Sequence, residues 1–211
     1  MDSFHTVLTG LESDVSAIKF VSAKDVPEAA KSNVLSEDVS SDGATAGAKI
    51  GAYLDSASST LYVAPTSNGY EIYAPESCNY LFTTNTTFKH CSAKELVFES
   101  FNTSNVTSMI GMICGMTDIT VIDLSGWDTS NVKSTTLMFY GCSALKTIWA
   151  SSENPNFSNV TSGGNMFGNC KSLVGGNGTA FSTSNVKVDY AHIDVAGNPG
   201  YFTDESKKTT G

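Results

Sequence analysis

The chain has 211 residues, of which only 16% are charged, and a net charge of −9. Its 12 basic residues are all lysines and form no block larger than the Lys207-Lys208 pair, which argues against nucleic acid or an anionic membrane surface as a partner. No apolar run is long enough to span a bilayer, and no basic-then-apolar leader follows Met1.

Residues 1–75 read as an N-terminal β-rich region. Val15 to Val21 predicts a strand with Ile18 and Phe20 on one face. Asp25 to Ala30 predicts a short helix start, with Pro27 in the first turn where its missing donor matters least. Ser36 to Lys49 is turn-rich and acidic. Ile50–Leu54, Leu61–Ala64 and Tyr70–Tyr73 then read as a small meander joined by Asp55-Ser-Ala-Ser-Ser59 and Ser67-Asn-Gly69.

From there the chain repeats itself. The phrase FNTSNVTSMIGMICGMTDITVIDL, starting at Phe101, returns as WDTSNVKSTTLMFYGCSALKTIWA from Trp127. Asn105 recurs as Asn131, 26 residues on, then as Asn159 and Asn185 after further steps of 28 and 26. MFYGCSAL at Met138 to Leu145 returns as MFGNCKSL at Met166 to Leu173, and LFTTNTTF at Leu81 to Phe88 is a worn earlier copy. A fixed period in the twenties predicts stacked units that bury their apolar stripes against one another. Within each copy, Ile119/Ile122/Leu124 and Leu145/Ile148/Ala150 read as a bend entering a short inward-facing strand. Met112-Ile113, Met138-Phe139 and Met166-Phe167 supply the opposite wall, and Gly115, Gly141 and Gly168 follow as turn glycines. The expected fold class is therefore mainly β with short helical turns, a leucine-rich-repeat-like solenoid with non-repeat caps. Its boundaries fall at 1–75 (N-terminal cap), 76–186 (four to five repeats), 187–203 (C-terminal cap) and 204–211 (flexible tail). A separate binding domain is the alternative for 1–75, and capping is favoured by its small size and direct run into the first copy.

WDTSNV followed by MFYGCSAL resembles the bacterial surface-protein repeat of about 26 residues grouped with the BspA-like leucine-rich-repeat proteins. The resemblance covers about Cys78 to Val186, and Leu173 to Thr203 is similar to the closing segment of such proteins. It implies a secreted or surface-displayed protein, its export signal absent from this chain, with adhesion or host-protein binding proposed for some members. It brings no catalytic residue. The third copy departs from the pattern by two extra residues and by Pro155 in the place of Trp127, and Met116 stands where Cys142 and Cys170 do.

The recurring Asn105, Asn131, Asn159 and Asn185 read as a structural ladder, each amide bonding backbone of the neighbouring copy. A ligand site or glycan acceptor is the competing reading, met by Asn105-Val-Thr and Asn159-Val-Thr but not by Asn131-Val-Lys. Cys78, Cys91, Cys114, Cys142 and Cys170 include no CxxC, and no histidine stands at metal-ligand spacing, so no metal or other cofactor is expected. Cys142 and Cys170 share a register, open to a bridge across adjacent copies or, the favoured reading, to a column of small buried hydrophobes. His5, His90 and His192 are the only imidazoles, and neither a GxSxG elbow nor a P-loop is present. An enzyme is not expected.

Two functions of different class remain. One is adhesion, binding an extracellular-matrix, host or neighbouring-cell surface protein. The other is a passive spacer segment within a larger surface protein. Strand alternation places the binding face: with Leu96/Phe98, Ile122/Leu124 and Ile148/Ala150 inward, Val97 and Glu99, Asp123 and Ser125, and Trp149 and Ser151 point outward. Trp149 is the expected anchor of that face, or else it is core beneath the stretched third copy.

Overall fold

A computed structural model of the chain describes residues 7, 15–36, 49–82 and 93–208. Cys91, His5, His90, most of the worn copy at Leu81 to Phe88 and most of the acidic stretch Ser36 to Lys49 lie outside the described residues. The N-terminal elements are β1 (Ala17–Phe20), α1 (Glu28–Lys31), β2 (Val34–Ser36), β3 (Ile50–Asp55) and β4 (Thr60–Pro65). They are followed by β5 (Glu95–Phe98), β6 (Val121–Asp123), β7 (Thr147–Ala150) and β8 (Phe202–Asp204).

The strands form two small sheets, which corrects the expected solenoid. One is mixed and five-stranded, in the order β2-β3-β4-β1-β5, and the other is parallel and three-stranded, in the order β6-β7-β8. Neither closes, and among the described residues no single ladder of repeat strands runs through the molecule. Two local causes account for this. At one end β5 pairs in parallel with β1, Leu96 opposite Ile18 and Phe98 opposite Phe20, and not with β6. At the junction Phe20, Phe98, Phe101 and Trp127 form a ring cluster with centroid separations of 4.7 to 6.1 Å. Rings of this size occupy the space that two backbones need to reach hydrogen-bonding distance of about 4.8 Å. At the other end the third copy reaches its strand position with Val174-Gly175-Gly176, and glycine weakens a strand. The place beside β7 goes instead to β8, Ile148 facing Phe202 and Trp149 facing Thr203.

The five-stranded sheet straddles residue 75, so the N-terminal region and the first repeat strand share backbone bonds. β3 and β4 make the expected hairpin, whose turn is held by Asp55: its carboxylate accepts from the Ala57 N–H (3.0 Å) and the Ser58 hydroxyl (2.7 Å). Tyr70–Tyr73 is not the expected third strand; only Tyr73 makes an isolated bridge, to Asn102. Val34–Ser36 is an edge strand that the sequence pattern did not signal.

On the flank opposite the strands the copies do stack on one another. Ser77, Ser108, Ser134 and Ser162 are joined by successive parallel bridges. The N–H groups of Gly111, Ile113 and Gly115 donate to the carbonyls of Thr136, Met138 and Tyr140, and those of Leu137, Phe139 and Gly141 to Gly164, Met166 and Gly168. The turns need left-handed backbone at two registers. Tyr80, Gly111, Leu137 and Asn165 hold φ of 53°, 56°, 60° and 53°; Gly115, Gly141 and Asn169 hold 76°, 79° and 62°. The glycine register of the third copy is thus filled by Asn169 and not by Gly168, asparagine being the side-chain-bearing residue that tolerates this region best. One core spans both sheets and the stacked turns, from Val15 and Ile18 through Met112, Ile122, Phe139 and Ile148 to Phe202.

Candidate functional site

Each copy opens on a turn built from side chain to backbone. Asn102, Asp128 and Asn156 each accept from the N–H two residues on, at Ser104, Ser130 and Ser158, with distances of 2.9 to 3.0 Å. Ser182 does the same for Ser184 at 3.3 Å. Such caps pre-form the corner. Inside that corner lies a register that sequence reasoning passed over. Thr103 and Thr129 are buried, and their hydroxyls donate to the next copy's Asp128 and Asn156 carbonyls at 2.9 and 2.8 Å.

The asparagine register lies at the surface, and only two of its four members form rungs. Asn131 and Asn159 donate from Nδ2 to the Ser104 and Ser130 carbonyls, both at 2.8 Å, yet both are exposed. Asn105 and Asn185 make no side-chain bond of this kind. Cys78, Cys114, Cys142 and Cys170 are free and buried, and the Cys142 and Cys170 thiols donate to the Ile113 and Phe139 carbonyls, both at 3.0 Å. Burial pushes Cys78 and Cys170 up to about 12.

Where β5 and β6 fail to pair, a groove of about 560 Å³ opens at the surface. It gathers Val97, Glu99, Asp123, Ser125 and Trp149 from three copies. Ser151 is not among them: its hydroxyl and N–H both donate to Asn154 in the stretched third copy, away from the groove. Leu96, Ile122, Leu124, Ile148 and Ala150 are buried beneath, while Phe98 is only half-buried and lines the groove. Trp149 is half-buried, neither core nor a free anchor. Val121, 44% exposed, adds an apolar side chain at the groove wall.

The unforeseen component comes from the chain's end. Asp204 caps a 3₁₀ turn, Glu205–Lys207, by accepting from the Ser206 N–H, so this part of the expected flexible tail is seated against the groove. Lys208 donates to Asp123 Oδ2 (2.6 Å), Ser125 Oγ (3.1 Å) and Glu205 Oε2 (3.4 Å), and its ammonium sits 5.8 Å from the Trp149 ring centre. An ammonium over an indole face within about 6 Å is attracted by the ring quadrupole. The other oxygen of Asp123 is taken by the Ser125 N–H at 3.0 Å and by the Ser125 hydroxyl. Burial opposes the charge on Asp123, but the bonds from Lys208 and Ser125 outweigh it and hold the carboxyl below its usual range. A bond between residues 85 positions apart has no local sequence signal.

The remaining side-chain cluster belongs to the chain's C-terminal closure. Asp194, 3% exposed, accepts from Asn177 N and Thr179 N (2.9 Å each), Thr179 Oγ1 (2.7 Å) and Gly200 N (3.3 Å). It pins the glycine turn that ends the third copy. Desolvation opposes ionisation there, and the Thr179, Asn177 and Gly200 bonds hold the carboxyl low. His192, the described imidazole, lies at a second groove of about 510 Å³ with its Nδ1 3.0 Å from the Ile193 carbonyl. Among the described residues no cluster of metal-ligating side chains occurs, and no helix is long and apolar enough to cross a membrane.

Neither the comparison with curated proteins nor that with solved structures found a match. A family model matches residues 74–192, which spans the stacked turns, both walls of the groove and the start of the C-terminal closure. Since that match covers more than half of the chain, the protein belongs to the family described as "Mycoplasma protein of unknown function, DUF285".

Proposed function

We propose that the chain is a non-catalytic protein-binding module that works at the cell surface or outside the cell, its partner an extracellular-matrix, host or neighbouring-cell surface protein. The observation that carries this reading is the groove between the two sheets. It brings Val97, Asp123 and Trp149, outward residues of three successive copies, to one concave surface that includes an aromatic face. Aromatic side chains that are partly covered and flanked by polar groups are the usual energetic centres of protein interfaces. A spacer has no need of such a surface, so the spacer reading ranks second.

The test is capture. The immobilised parent chain and a Trp149→Ala chain, matched for melting temperature, are exposed to purified extracellular-matrix and plasma proteins. A protein retained by the parent and lost by at least tenfold on Trp149→Ala supports the reading. Equal retention by the two chains, or retention of nothing, overturns it.

A further inference from the structure

We propose that the groove is a receptor for a lysine side chain presented by the partner protein, and that Lys208 is an internal stand-in for that lysine. The inference rests on the protein-binding reading and names the chemistry of what is bound. Lys208 displays the complete set of contacts for an alkylammonium: a carboxylate, a hydroxyl, a second carboxylate and an aromatic face. These groups come from β6 and the turn after it, from β7 and from the closing 3₁₀ turn, elements far apart in sequence. The surroundings are negative beyond what one lysine balances. Glu99, Asp123 and Glu205 line the groove with Lys208, while Glu95 is matched separately by Lys19 at 3.4 Å. A partner segment that displaces Lys208 therefore meets net negative charge, the condition for attraction of a cation.

The geometry also selects among cations. Asp123 offers only Oδ2, because Oδ1 is held by Ser125. A guanidinium gains most from two parallel bonds to a carboxylate, which Asp123 denies it, whereas an ammonium needs one oxygen.

Lys208 is held loosely enough to be replaced. Its side chain is 33% exposed and that of Asp123 51%, and the turn carrying it has three residues. The chain's own end thus competes with the partner, and a self-contact of this exposed kind lowers apparent affinity by about fivefold.

Tetralysine, tetra-arginine and tetraglutamate peptides, titrated into the full chain with Trp149 fluorescence as the readout and a Trp149→Phe chain as the blank, test the assignment. Tetralysine should give a saturable change that weakens with salt, tetra-arginine a several-fold weaker one and tetraglutamate none. The Lys208→Ala chain, its melting temperature checked against the parent, should bind tetralysine about fivefold more tightly. The Asp123→Asn chain should bind at least tenfold more weakly than the parent. Unchanged tetralysine affinity in Lys208→Ala, or parent-like affinity in Asp123→Asn, overturns the proposal. If Trp149-dependent capture of a protein persists while tetralysine leaves the groove untouched, the lysine assignment falls and protein binding stands.

Discussion

The two flanks of the repeat region are made from the same copies and behave differently. On the turn flank every copy bonds to the next through backbone, Ser77 to Ser108 to Ser134 to Ser162, with buried Thr103 and Thr129 adding side-chain links. On the strand flank the succession breaks twice, once where β5 joins β1 and once where β8 replaces a third repeat strand. The difference teaches that the period near 26 residues is carried by the turns. A turn with its donors and acceptors set by Asx caps and left-handed residues has one way to meet its neighbour. A three- or four-residue strand has little to hold it to one partner, and a longer aromatic or a glycine pair redirects it.

The largest test of the comparison removes residues 1–75. That deletion takes β1 from β5 and uncovers Leu96 and the Phe98 and Phe101 rings, so the remaining 76–211 chain should be insoluble or melt without cooperativity. A soluble fragment with a sharp thermal transition would show that the turn flank alone sustains the fold.

Next in size is Asp194→Ala, which leaves the N–H groups of Asn177, Thr179 and Gly200 without their acceptor. It should cost about 3 kcal/mol in a denaturant titration. The carboxyl is held below its usual value, so its contribution is complete above the unfolded pKa of about 4 and is lost as pH falls through the folded one. The parent's melting temperature should accordingly drop more steeply below pH 4 than that of the Asp194→Ala chain; parallel pH profiles would refute the clasp.

Thr129→Val probes the turn flank directly. It removes the Oγ1 bond to the Asn156 carbonyl and the acceptor for the Asn156 N–H, both at 2.8 Å, and should cost about 1–2 kcal/mol. The opposite sign is expected for Thr135→Val. The Thr135 hydroxyl is buried with no partner, and an isosteric methyl should raise stability by about 1 kcal/mol. A loss there would mean that the hydroxyl is satisfied in solution.

The smallest effect belongs to Asn131→Ala. The bond to Ser104 is real at 2.8 Å but exposed, so water replaces it and the cost should stay under about 0.5 kcal/mol. A loss of 1 kcal/mol or more would place the asparagines, and not the threonines, at the centre of the turn flank.

Much of this was readable from residue order. Alternation, turn chemistry and the repeat together located β1, β3, β4, β6 and β7 and put Ile122 and Ile148 inside. The repeated SNV and MFYGC phrases marked which residues stack. The aromatic junction was not readable, because Phe101 and Trp127 occupy one register and nothing in a one-dimensional pattern tells that Phe20 will join them. Neither was Lys208, a polar residue in a polar tail whose partners lie at Asp123 and Ser125. The asparagine register was visible, but its depth was not: the buried links between copies come from the nearby threonines.

The cysteines carry a further consequence for oxidation chemistry. A thiol held near 12 by burial, as at Cys78 and Cys170, stays protonated at any physiological pH, and only the thiolate attacks disulfides or alkylating agents. Cys142 and Cys170 spend that proton on the carbonyls of the preceding copy, so they serve the turn flank as hydrogen-bond donors. All four described cysteines are buried and free, and burial raises each thiol above its usual range. Their labelling by a thiol reagent becomes a clock for global opening, because a buried sulfur reacts only when the stacked turns come apart.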